Sequence, residues 1–452
     1  VVVTTALAMN DGFYDIASQS LTVNGSITNG SGPAKFMSST NAGTLTLGGT
    51  GGGDIGTVNL KDGAQQFGYL TFSRSGSTPS ATIEGNLTLA AAAASAFNLS
   101  STSGTLTING NLTVSSNTAN AFAMTGSGSV LNMNGNLTLS ATSVAIFNWT
   151  NGIINMGDNT FTYNSTGANI PASTSTKYIS FLGTNGGFQW NMPASTAAGI
   201  YRLPIGITGA VTGFRPLTIQ TTAANPASIV SIKAGFINHT SNDAASETEI
   251  PLTDNNRAGY ILRLTYSGAA MTAAPHITMA YQDADFNDGA PLSSSVAIYR
   301  YNGTEWARLG NSAVGSADGN VTIQKTNATI NSGTESYALG VTGGANLPGN
   351  TYVWKGTTST AWNTPANWDL DNGMFPNDAA DNVVIDNTYT PANWPIIPNS
   401  VTYRVRDLKV DGATSALTIG TTGGTITTLE VYGNFQVLNG ASVTCYSLTP
   451  FS

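Results

Sequence analysis

The sequence predicts an all-β protein: parallel β-helix segments at both ends and an antiparallel β-sandwich between them. Three observations predict it. Nearly the same phrase is written five times, at residues 21–28 (LTVNGSIT), 81–89 (ATIEGNLTL), 106–114 (LTINGNLTV), 131–139 (LNMNGNLTL) and 429–437 (LEVYGNFQV). Between the last two copies the repeat vanishes and short strand-like runs separated by turn residues take its place. Only 9% of residues are charged, against roughly 25% in ordinary soluble chains, so Thr, Ser, Asn and Gly must supply the polar surface, a composition that favours strands and turns over helices.

The middle three copies place Gly85, Gly110 and Gly135 at a spacing of 25. A fixed period of that size marks stacked units, none of which can bury its apolar face alone. Within a copy, alternate positions share one character: Leu106, Ile108, Gly110, Leu112 and Val114 on one side, Thr107, Asn109, Asn111 and Thr113 on the other. That is a period of two held through a glycine, which marks a bend or a close backbone approach. Two short strands joined at a glycine corner describe one coil of a β-helix. A further, less regular coil is expected at 153–163, with Gly157 at 22 residues after Gly135. Asn86, Asn111 and Asn136 take equivalent outward positions, so stacking predicts an asparagine ladder in which each amide bonds the next. They also form N-x-[ST] sequons, which we read as repeat geometry and not as glycan acceptors.

Three segments follow. Residues 1–164 are expected to be a β-helix, with a looser stretch at 26–80 around the glycine run 48–53, read as irregular coils or a loop. Residues 165–345 carry strand-like runs at 214–221, 228–234, 260–266, 276–281, 295–301, 320–325 and 336–341, which argue for the sandwich. Residues 346–452 open with clustered tryptophans, Trp354, Trp362 and Trp368, read as a cap over the edge of a second β-helix in preference to a sugar-stacking platform.

The run Trp354-Lys-Gly, Ala361-Trp-Asn and Asn367-Trp-Asp, then Met374-Phe-Pro and Asp381-Asn-Val-Val-Ile, resembles the opening of β-helix modules in giant modular surface proteins of gliding bacteria that use type IX secretion. Leu203-Pro-Ile-Gly, Phe214-Arg-Pro-Leu and Tyr299-Arg with Trp306 resemble the immunoglobulin-like module that sits between such β-helices. The resemblance implies an immunoglobulin-like sandwich, an adhesin function and a place at the bacterial cell surface. The sorting domain of such proteins is not visible, and a new coil has only begun where the sequence stops, so the chain is expected to be a fragment or to stack on something else.

Composition excludes several functions. The net charge of −8 leaves no basic stripe for phosphates, so no nucleic-acid partner is expected. The longest apolar runs fall far short of the ~20 residues needed to cross a bilayer, so no membrane insertion is expected, and the start lacks the pattern of a signal peptide. One cysteine, Cys445, forbids an internal disulfide; its strand-like setting predicts an inert, buried thiol. Between Gly85 and Gly157 there is no Asp, Glu, Lys, Arg or His, so this stack lacks the paired carboxylates that glycoside cleavage needs. His239 and His276 have no Cys neighbours and are read as ordinary side chains. No nucleophile-elbow motif is present.

The loop DADFNDG brings Asp283, Asp285, Asn287 and Asp288 together before Gly289. Alternating carboxylate and amide oxygens suit calcium, a hard cation with six to eight oxygen ligands, though no Glu closes the loop as in an EF-hand; the alternative is a solvated turn. A second cluster, Asp369, Asp371, Asp378 and Asp381, is weighed the same way. No other cofactor is expected. The reading is a non-enzymatic extracellular adhesin or scaffold whose partners are surface glycans or other cell-surface proteins. A filament subunit associating end to end is the alternative, and a polysaccharide-processing enzyme comes third.

Overall fold

A computed structural model of the chain describes residues 1–30, 35–141, 145–164, 170–191, 199–208, 213–221, 229–238, 258–268, 275–286, 296–301, 306–310, 313–317, 319–326, 328, 330, 333–341, 350–370, 375–377, 381–421 and 427–446. Among these the protein is all-β, with only single turns of 3-10 helix at Asp283–Asp285 and Pro365–Asn367. It is a parallel β-solenoid of about 13 turns, interrupted by antiparallel strands.

Three long sheets run along the first part. One stacks seven parallel strands from Val2–Val3 to Phe147–Trp149. A second begins at Asp54–Asn59, and a third at Gln65–Phe67. The repeat sets their register. Strands Ser80–Glu84 and Thr105–Asn109 pair Ile83 with Ile108, and Leu87, Leu112, Leu137, Phe161 and Phe188 fall in one inward column, each at most 4% exposed. Each such side chain contributes about 1.5–3 kcal/mol on leaving water. Phe97 stacks on Phe122 at 4.5 Å, and Phe147 meets Phe122 edge-on at 5.1 Å, so the core holds an aromatic column as well as an aliphatic one.

The glycine corners explain why the period is strict. A Cβ on Gly110 would lie 2.3 Å from the Gly85 carbonyl oxygen, and one on Gly135 would lie 2.4 Å from backbone atoms of Gly110. Corner packs directly on corner, and only glycine fits. The expectation of irregular structure at 26–80 is corrected: Ser26–Asn29, Lys35–Met37, Thr44–Leu47 and Tyr69–Phe72 are regular parallel strands. The glycine run is itself a corner, because a Cβ on Gly52 would sit 2.3 Å from the Ser77 carbonyl oxygen. Arg74 braces that corner, donating from Nε to Gly51 O at 2.8 Å and from Nη1 to Asn24 O and Gly25 O at 3.1 and 2.9 Å.

Parallel pairing runs past residue 164. Ile179–Phe181 and Ile205–Ile207 extend the second sheet, and Gly187–Trp190 extends the third. The direction then reverses within the same sheets: Gly213–Phe214 pairs antiparallel with Ile205–Ile207, and Ile229–Asn238 with Gly187–Trp190. Tyr260–Gly268, Gly333–Val341, Val296–Tyr301 and Trp306–Gly310 complete an 11-stranded third sheet. A separate five-stranded antiparallel sheet comprises Ile200–Leu203, Leu217–Gln220, His276–Tyr281, Asn320–Lys325 and Ala313–Ala317. The middle of the chain is therefore antiparallel, yet one of its sheets is a continuation of the solenoid.

The C-terminal part is again solenoidal, with the parallel ladder Thr351–Val353, Asn382–Ile385, Asp407–Asp411 and Phe435–Leu438. The fifth phrase also turns at a tightly packed glycine, here against an aspartate side chain. Thr428–Val431 and Phe435–Leu438 flank Gly433, whose Cβ would lie 2.4 Å from Asp407 Oδ1. Trp354, Trp362 and Trp368 are fully buried beside Tyr352 and Tyr403 in a second core.

Candidate functional site

Of the acidic loop expected to suit calcium, Asp283 and Asp285 are among the described residues, and they face different ways. Asp283 is exposed, whereas Asp285 is 2% exposed and faces inward. Asp285 accepts two hydrogen bonds from Arg215, one from Nε at 2.6 Å and one from Nη2. Arg215 also donates from Nη1 to Phe214 O at 2.8 Å and to Asn320 Oδ1 at 3.2 Å, and Gln282 N donates to Asp285 Oδ2 at 2.9 Å. With its carboxylate committed to a buried guanidinium, Asp285 points away from Asp283. Burial disfavours the Arg215 charge, but the Asp285 carboxylate outweighs it and raises the Arg215 pKa above its ordinary value. Asn287 and Asp288 lie outside the described residues. This bidentate pair went unnoticed in the sequence: its partners stand 70 residues apart, and no local spacing links them.

The second acidic cluster is likewise structural where it is described. Asp369 Oδ1 accepts from Val353 N at 2.7 Å. Asp381 is fully buried and accepts from Asn350 N and Asn377 N, both at 3.2 Å, tying the first strand of the C-terminal solenoid to the loop before the second. Asp371 and Asp378 lie outside the described residues. Among the described residues no three His, Cys, Asp or Glu side chains group as metal ligands.

The tryptophans form a core. Trp368 meets Trp354 and Trp362 edge-on at 4.8 and 4.9 Å, and each indole N–H has a carbonyl acceptor: Asn393 O, Pro376 O and Trp362 O. No ring face is left for a sugar. Cys445 corrects its expectation, since the thiol is exposed on the last described coil. His276 is half-buried in a strand beside Gln220, and His239 lies outside the described residues. Among the described residues no helix is long and apolar enough to cross a membrane.

What the solenoid does display is ordered polar side chains. The asparagine ladder exists, but in a form different from the amide-to-amide one expected. Asn86 Oδ1 accepts from Asn111 N at 2.8 Å, Asn111 Oδ1 from Asn136 N at 2.8 Å, and Asn136 Oδ1 from Thr160 N at 2.9 Å. Each side chain caps the corner of the following coil. True side-chain ladders lie on the neighbouring sheet: Asn134 Nδ2 donates to Asn109 Oδ1 at 2.7 Å, Asn155 Nδ2 to Asn132 Oδ1 at 2.8 Å and Ser180 Oγ to Asn155 Oδ1 at 2.6 Å. No family model, curated protein or solved structure matches the chain.

Proposed function

We propose that this protein is a non-enzymatic extracellular adhesin or scaffold of the bacterial cell surface, a modular rod that binds glycans or other surface proteins along its length. The observation that carries the reading is the uncharged stack from Gly85 to Gly157, whose outward side chains are hydroxyls and amides held in register by the coils beneath them. Such a face binds through many weak, neutral contacts and has no group to protonate a leaving oxygen. The antiparallel strands are read here as an immunoglobulin-like module joined to the solenoid, and the whole as a member of the type-IX-secreted modular surface proteins its motifs resemble. Incubating the purified protein with a polysaccharide panel tests the reading: retention without turnover is expected, and release of reducing ends or unsaturated sugars overturns it.

A second reading, end-to-end association, rests on the last described coil. Tyr432, Phe435, Val437 and Tyr446 are 61%, 52%, 44% and 48% exposed there, an apolar surface open to a second copy. Negative-stain microscopy separates the readings, since regular fibres support association and isolated rods exclude it.

A further inference from the structure

We propose that the outward side of the third sheet, between Gln66 and Gln189, is a docking ribbon for a linear, uncharged polysaccharide, one sugar ring per coil. The proposal rests on the adhesin reading and names its face and ligand class. Two columns form the ribbon. Gln66, Thr88, Thr113, Thr138, Thr162 and Gln189 are paired strand to strand in unbroken register. Beside them stand Asn86, Asn111 and Asn136, all exposed.

The chemistry of the columns is specific. Each of these asparagines is oriented by its Oδ1 atom, which accepts from the backbone N–H of the next coil. The amide cannot flip without losing that bond, so its Nδ2 donors are held in a fixed direction on an exposed side chain, and among the described residues they make no hydrogen bond. Among the described residues the hydroxyls of Thr88, Thr113, Thr138 and Thr162 are likewise without a hydrogen-bond partner. The neighbouring sheet contrasts with this, because there Asn109, Asn132, Asn134, Asn155 and Ser180 bond to one another. One face satisfies itself and the other presents oriented donors and free hydroxyls, an arrangement that needs little reorganisation on binding.

Charge and spacing choose the occupant. Neither column contains an ionisable side chain from Gln66 to Gln189, so the ribbon offers nothing to a phosphate, a uronate or an anionic membrane, and a neutral hydroxylated polymer is its electrostatic complement. Successive coils are separated by the strand spacing, roughly 4.8 Å, close to the length of one pyranose ring. A glycan laid across the strands meets one threonine and one asparagine per ring, and the threonine methyls underlie the apolar face of the sugar.

The test measures retention on insoluble neutral β-glucan and chitin and on anionic polygalacturonate, for wild type, Thr113→Val with Thr138→Val, and a control pair on another sheet, Thr46→Val with Thr71→Val. Valine keeps the β-branched shape, and an unchanged melting temperature verifies the fold. Retention on a neutral polymer, weakened about twentyfold by loss of the two ribbon hydroxyls and unaffected by the control pair, supports the proposal. Neutral-glycan retention insensitive to the ribbon pair overturns the face assignment and leaves the adhesin reading standing. Retention on polygalacturonate alone overturns the ligand class, as does ice-growth inhibition without glycan retention. Retention on none of the polymers overturns the proposal and the glycan arm of the adhesin reading together.

Discussion

Removing the Asp285 carboxylate leaves the Arg215 guanidinium inside the protein without its counter-charge. Asp285→Asn is expected to cost about 3–5 kcal/mol, because an orphaned buried ion retains its full desolvation penalty. Replacing both partners, Arg215→Met with Asp285→Leu, is expected to cost less than either single change; chemical denaturation of the three variants checks this. The buried tyrosines give the same region a pH limit. Burial, aided by nearby carboxylates, raises the pKa of Tyr260 and of Tyr337 well above 10 and pushes that of Tyr281 up to about 12. Below pH ~10 their contribution is fully present. As pH rises from there towards about 12, the unfolded chain releases protons that the native state keeps, and stability falls. Denaturation midpoints are therefore expected to be steady up to pH 9 and to decline steeply above 10; a flat profile to pH 12 contradicts the assignment.

The coil is the element that carries the fold, and its corner is the sensitive point. Gly110→Ala and Gly135→Ala push a methyl group into the backbone of the preceding coil at 2.3–2.4 Å. Each is expected to destabilise by about 1–3 kcal/mol, the usual cost of overpacking. Gly157 has the left-handed φ of +53° and open space where a Cβ would stand, so Gly157→Asn is expected to be tolerated; thermal melts of the three variants make the comparison. These coils were legible in the sequence because alternation and glycine spacing both report local geometry. Direct backbone contact between corners follows from a glycine recurring at fixed spacing. The identity of each hydrogen-bond partner does not. Asn111 and Asn109 are two residues apart in the same phrase, yet one caps a backbone N–H and the other bonds a side chain, a difference set by which side of the corner each occupies. The glycine run at 48–53 is not legible as a corner for a related reason: composition alone does not separate a loop from a corner, and the stacking partners Gly76 and Ser77 lie in the next coil. The acidic loop suggests a metal site because its spacing is local, whereas the guanidinium that pairs with Asp285 comes from Arg215, 70 residues away in sequence.

At the scale of the whole molecule, the two large hydrophobic cores among the described residues are separate, and a small third cluster of Ile261, Ala297, Tyr299 and Ala338 lies among the antiparallel strands. One large core runs from Met9 to Leu339 through both parallel and antiparallel strands; the other is built around Trp354, Trp362 and Trp368. Two thermal transitions are expected, and Trp362→Ala, which empties about a whole indole from the second core at a cost of roughly 3–5 kcal/mol, is expected to lower only one of them in calorimetry. A single transition displaced as a whole contradicts this. The sequence places the change from helix to sandwich near residue 164, and the first core spans residues on both sides of that position. Reversal of strand direction is visible in sequence as loss of period, but the sharing of one sheet across that reversal is a matter of edge pairing between Gly187–Trp190 and Ile229–Asn238, which no short-range pattern encodes.

The stacking of corner on corner also determines how such a rod yields when it is pulled from its ends. Tension along the axis acts across the bonds between coils, which open as a row, so the solenoid gives way one turn at a time and not all at once. Each of the regular middle repeats, once released, adds a slack loop of 25 residues, the spacing of its ladder bonds, or about 80 Å of extended chain. Length is thereby held in reserve, and a solenoid built this way lengthens under a sudden load before its last coil opens.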